Sequence, residues 1–141
     1  MTDAMTQLVA GVIVELEAAG ATLLALPMSG YSTTLRTGGL DFVRDAIESY
    51  GWTDMPIRPA VPSSRAISRM DAALAWISLI PENRLVLRRI VGARALVHPI
   101  TERHLFSWRR LGNLLKTDHH AVQRQHLEGI ELIVARLATQ K

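Results

Sequence analysis

The stretch from Ser107 to Leu137, SWRRLGNLLKTDHHAVQRQHLEGIELIVARL, decides how the chain is read. Ser107 is a helix-capping type, because its hydroxyl can accept from a first-turn backbone N–H that has no partner inside the helix. Behind it Trp108, Leu111 and Leu115 recur at three and four, the inward stripe of a short helix over Trp108 to Leu115. Lys116-Thr117-Asp118 reads as a tight turn. Thr117 or Asp118 can then cap a second helix running to about Leu137. A short supporting helix, a turn of three residues and a longer helix are the spacing of a helix-turn-helix. A plain helical hairpin would give the same pattern.

Two helices crossing near a right angle need a small residue at the crossing, and Gly112 follows inward Leu111. On the second helix Ala121 and Val122 face back onto the first. His119, His120, Gln123 and Arg124 then point away, at the end where such helices touch base edges. Glutamine can bond adenine bidentately and arginine guanine. Arg109, Arg110 and Lys116 lie where phosphate contacts are expected. These seven side chains are the candidate DNA-binding set, with double-stranded DNA as the partner.

The charge distribution points the same way. Residues 1–62 carry seven acids against three bases, a net of −4, and residues 63–141 carry thirteen bases against six acids, a net of +7. Such a split is expected of a nucleic-acid binder that touches phosphate with one end only, although an arginine-rich solvated face would produce it too. The acidic end is then available to a protein partner. Low aromatic content, at 5%, with Ala, Leu, Ile, Arg and Glu in the periodic stretches, favours helix. The absence of cysteine excludes disulfides, cysteine-ligated zinc and thiolate catalysis. The apolar run Leu8 to Val14 is short and adjoins Glu15 and Glu17, so a cytoplasmic chain without a membrane span is expected.

Upstream, a first helix is expected from Asp3 to Leu26, with Leu8, Val9, Val12, Ile13 and Leu16 as its apolar stripe and Gly20 as an interruption. Leu26-Pro27 ends it, because the residue before proline resists the α region. Residues 28–39 read as loop, and Leu40 to Tyr50 as a short helix with Phe42, Val43, Ala46 and Ile47 inward and Gly51 at its C-terminal cap. Pro56, Pro59 and Pro62 mark residues 56–62 as an extended linker. An acidic helical region (1–55) thus precedes a basic one (63–141) that holds the helix-turn-helix at about 107–137. Within the basic region Ser63-Ser64 offers a cap for a helix from Arg65 to Ile80, with Ile67, Met70, Ala73, Leu74 and Ile77 inward. Pro81 suits the first turn of a helix from Glu82 to Val91. Gly92 and Pro99 argue for a break, and Thr101 could cap one further turn.

In Leu111, Gly112, Leu115, Ala121, Val122, Gln123 and Arg124 the segment resembles region 4 of sigma factors and related activators. That resemblance implies DNA binding through the second helix. The sequence departs from the pattern at Lys116, where those proteins usually place glycine, and a lysine at positive φ costs about 1–2 kcal/mol. Leu26-Pro27, Tyr50-Gly51, Pro62-Ser63, Ile67 to Asp71, Trp76 and Trp108 also follow the layout of an uncharacterised helical domain family of phages and prophages, which implies a phage-like setting.

Other chemistry is thinly represented. His119 and Gln123 have metal-ligand spacing, but glutamine is a poor ligand and no metal is expected. His126 falls on the Val122, Gly129, Ile130, Ile133 stripe, as a core or interface histidine would. Arg84, Arg88 and Arg89 could track phosphate or form a solvated face. No glycine-rich phosphate loop, carboxylate pair or nucleophile with a base stands out, so no catalytic residue and no cofactor are expected. The expectation is an all-α, non-enzymatic, homo-oligomeric DNA-binding regulator. A small terminase subunit that recognises DNA for phage packaging, and a helical adaptor that no longer meets DNA, are the alternatives.

Overall fold

The structure is a computed structural model and describes residues 3–27 and 59–140. Its described residues form an all-α fold of five helices: α1 (Asp3–Ala25), α2 (Ser64–Ala75), α3 (Leu85–Ala95), α4 (Trp108–Leu115) and α5 (His119–Thr139). Short 3₁₀ helices, Trp76–Leu79 and Glu82–Arg84, lie between α2 and α3. The expected loop 28–39, the helix over Leu40 to Tyr50 and the first linker residues, 56–58, fall outside the described residues. Residues 59–63 have no regular secondary structure.

Local signals account for the helix ends. The Ser63 hydroxyl accepts from the Ala66 N–H at 3.1 Å and starts α2. The α-helix expected to reach Ile80 tightens to 3₁₀ at Trp76, and Ile80 is extended (φ −71°, ψ 130°). Pro81 is the cause, since its ring keeps the preceding residue out of the α region. Gly92 does not break the chain as expected: it is buried inside α3, which continues to Ala95. The turn expected at Thr101 is instead part of a loop closed by an antiparallel bridge between Val97 and His104. There His98 N–H donates to the Arg103 carbonyl at 2.8 Å, and Leu105 N–H to Leu96 at 3.0 Å.

The core is one cluster with α5 as its spine. Val122, Ile130 and Ile133 are fully buried there, against Leu74, Ile77 and Ile80 from the α2 side and Leu87 and Ile90 from α3. Helix α1 packs mainly on α2 and also on α3 and α5, and adds Val9, Val12, Leu16, Leu23 and Leu24 to the same cluster. The change of charge sign is therefore not a boundary in the packing. Glu15 pairs with Arg69 at 2.5 Å and Glu17 with His104 at 2.6 Å, so two acids of α1 face bases of the C-terminal part.

Two details of α1 differ from the sequence expectation. Leu8 is outside the buried stripe, 54% exposed. Gly20 is no interruption: a Cβ there would stand 1.8 Å from the Ala95 carbonyl oxygen, so only glycine lets α1 cross the end of α3 with the backbones in contact. By length and composition α1 could also cross a membrane, because the whole helix and not the run Leu8 to Val14 is the relevant span. In this fold its apolar face is the inner wall of the core.

Candidate nucleic-acid interface

Helix α4 begins with the Ser107 hydroxyl accepting from the Arg110 N–H at 3.1 Å. It ends at Lys116, which is left-handed (φ 56°, ψ 45°). Thr117 N–H then reaches back to the Gly112 carbonyl at 2.9 Å, and Lys116 N–H to Asn113 at 3.4 Å. These two bonds make a Schellman cap, the arrangement that normally selects glycine at the left-handed position. The glycine that such a cap usually takes is missing, yet the turn geometry is present. Gly112 lies beneath this turn. A Cβ on it would come within 2.8 Å of the Thr117 carbonyl oxygen and 3.3 Å of the His119 nitrogen, so the small residue makes room for the turn itself. Asp118, not Thr117, caps α5, its carboxylate accepting from the His120 N–H at 3.1 Å.

Past the turn Val122 is fully buried and Ala121 half-buried, as their inward assignment requires. His120, Gln123 and Arg124 are exposed on the first two turns of α5, next to exposed Lys116. His119 is half-buried, with its ring 4.1 Å from that of His120 and its Nδ1 3.6 Å from Asp118. Arg109 and Arg110 are exposed on the first turn of α4, about 10 Å along its axis from Lys116. The Arg110 guanidinium lies over the Phe106 ring at 5.0 Å. His120, Arg124, Leu127 and Glu131 share one outward line at helical spacing. Arg124 gives that line a cation near its start and Glu131 an acid beyond Leu127, with exposed Glu128 beside it. The first two turns of α5 thus present cationic charge suited to a polyanion, and the next base on the helix, Arg136, is exposed in its last turn.

The sequence family described as Domain of unknown function (DUF6362) matches residues 36–133, which take in α2, α3, α4 and α5 as far as Ile133. The chain belongs to DUF6362. No curated protein and no solved structure matches it. Helix α1 lies ahead of the matched residues and still forms part of the core that holds the DUF6362 helices.

The upstream arginines of this DUF6362 chain have internal partners. Arg84 pairs with Glu128 of α5, and Arg88 donates to the Ile80 carbonyl at 2.8 Å and the Ser78 carbonyl at 3.1 Å, closing the 3₁₀ turn before Pro81. Arg89 is exposed. Among the described residues no group of three or more His, Asp or Glu side chains is placed to hold a metal ion.

A second cluster, under the motif, was only partly legible. His126 does face inward, and its ring meets Trp108 edge-on at 5.2 Å. The other face of the arrangement is Arg94 of α3, whose guanidinium lies 4.0 Å over the Trp108 ring and donates to the Phe106 carbonyl at 2.9 Å. Burial lowers the Arg94 pKa, and Glu17 opposes that shift. Burial, helped by the charges of Arg94 and His104, pushes the His126 pKa down to about 4. At neutral pH His126 is therefore uncharged beside a guanidinium, and α4 is fastened at its first residue as well as at its turn.

Proposed function

We propose that this DUF6362 protein is a cytoplasmic, sequence-specific DNA-binding protein that reads the major groove with the first two turns of α5. In a phage or prophage setting its role is transcriptional regulation, as a homo-oligomer. The observation that carries the reading is the cap at Lys116. A non-glycine residue held at φ 56° over Gly112 turns the chain into α5 so that Val122 is buried while His120, Gln123 and Arg124 stay exposed. Gln123 and Arg124 have the chemistry to read adenine and guanine edges, and Arg109, Arg110 and Lys116 that to hold phosphates. Glu128 and Glu131, beyond Leu127, disfavour phosphate contacts by the middle of α5.

Selection from a random double-stranded pool tests this. A recurring sequence should be enriched, and binding to it should weaken with salt at a slope of about −3 for three phosphate contacts per protomer. Absence of both enrichment and low-salt affinity would overturn the proposal.

A further inference from the structure

We propose that Glu17, Arg94, His104, Trp108 and His126 form an acid-released latch that holds α4 of the helix-turn-helix against the rest of the fold. The inference about the fold stands on geometry, and its consequence for DNA rests on the function proposed above. Helix α4 has eight residues and packs chiefly on α5, and a helix that short does not persist unless its neighbours hold it. Its first residue, Trp108, is clasped between the Arg94 guanidinium at 4.0 Å and the His126 ring at 5.2 Å. Arg94 also binds the Phe106 carbonyl at 2.9 Å, two residues ahead of α4. One arginine of α3 thus grips both the start of α4 and the ring that α5 presses against it.

The groups around His126 make this clasp sensitive to protons. Glu17 comes from α1, Arg94 from α3 and His104 from the bridged loop, while α4 contributes uncharged Trp108. The remaining walls, Ile13, Leu16, Val91, Ala95 and Ile130, are apolar. When the His126 imidazole takes a proton from solvent, an imidazolium stands beside the Arg94 guanidinium in a largely buried site. Glu17 offers limited relief, because its carboxylate already binds His104 at 2.6 Å. The cheapest response is for α4 and its turn to swing away, so that His126 reaches water while the α1–α2 side of the core stays closed. With folded and solvated pKa values of about 4 and 6.5, the open-to-closed ratio of α4 rises roughly tenfold between pH 7 and 5.5.

Amide hydrogen exchange on the full chain, corrected for the intrinsic pH dependence of exchange, tests the latch without any DNA. Protection of α4 amides should fall roughly tenfold from pH 7 to 5.5 while α2 amides keep theirs. His126→Phe retains an aromatic edge that cannot be protonated, and it should make α4 protection independent of pH. Flat α4 protection in the wild type, α4 and α2 losing protection in step, or a His126→Phe profile identical to the wild type would each overturn the proposal. If His126→Phe does not fold, the wild-type α4-to-α2 comparison decides alone. DNA affinity measured over the same range separates the two ideas. Local release of α4 in a protein that binds no DNA at any pH leaves the latch standing and removes the DNA reading. DNA binding with flat exchange does the reverse.

Discussion

Replacing Lys116 by glycine acts on backbone strain, the charge of the turn and the stability of the motif together. The left-handed conformation (φ 56°, ψ 45°) costs an L-residue about 1–2 kcal/mol, through its Cβ against the following carbonyl. Glycine removes that contact but loses more backbone freedom on folding, an offset of about 0.5–1 kcal/mol. The net is a gain of about 0.5–1 kcal/mol. For a chain of 141 residues that corresponds to about 2–3 °C in Tm. Urea unfolding should show a higher midpoint at an unchanged m value, since the same surface is buried. Lys116→Ala keeps the Cβ and should gain nothing, which separates relief of strain from removal of charge. Both variants lose one phosphate contact, so both should lower the salt slope of DNA binding by about one unit. A destabilised Lys116→Gly, or an alanine variant that gains as much, would refute the assignment of strain to this residue.

Three further outcomes follow from the packing. On α1, Gly20→Ala places a methyl carbon 1.8 Å from the Ala95 carbonyl oxygen and should cost at least the roughly 1–3 kcal/mol typical of overpacking. Gly11→Ala meets nothing within 4 Å and should instead gain about 0.5–1 kcal/mol; thermal melts of the pair check both signs. A fragment beginning at Ser63 keeps thirteen of the sixteen bases but loses Val9, Val12, Leu16, Leu23 and Leu24 from the core, and circular dichroism should show no cooperative unfolding. His126 is neutral when folded, so the unfolded chain binds more protons between pH 6.5 and 4. Stability should therefore fall as pH drops through that window, by about 3 kcal/mol in all, and His126→Phe should remove that part of the loss in pH-dependent urea melts.

What the sequence made legible was mostly short-range. The caps at Ser63 and Ser107, the extended residue before Pro81 and the turn at Lys116 all depend on a few neighbouring residues, and each sits where its local chemistry places it. Long-range packing was not legible. Gly20 reads as a helix weakness until the end of α3 is seen against it, and Gly92 as a breaker until α3 is seen to carry it buried. The acids of α1 suggest a separate region because nothing in their spacing reveals Arg69 and His104 opposite them. At the interface the exposure of His120, Gln123 and Arg124 was readable from periodicity around buried Val122, whereas His119, expected to point away with them, is half-buried against His120 and Asp118. The grip of Arg94 on Trp108 was not, because it joins residues of two helices with a loop between them.

The most direct measurement is competition binding of four variants against both the selected sequence and random DNA. Arg109→Ala and Arg110→Ala should weaken binding to both alike, with a salt slope lower by about one unit each, as loss of a phosphate contact does. Gln123→Ala and Arg124→Ala should cost about 1–3 kcal/mol on the selected sequence and little on random DNA, as loss of a base contact does. Four variants that behave alike on both DNAs would contradict the account, because the exposed start of α5 would then not be the part that reads.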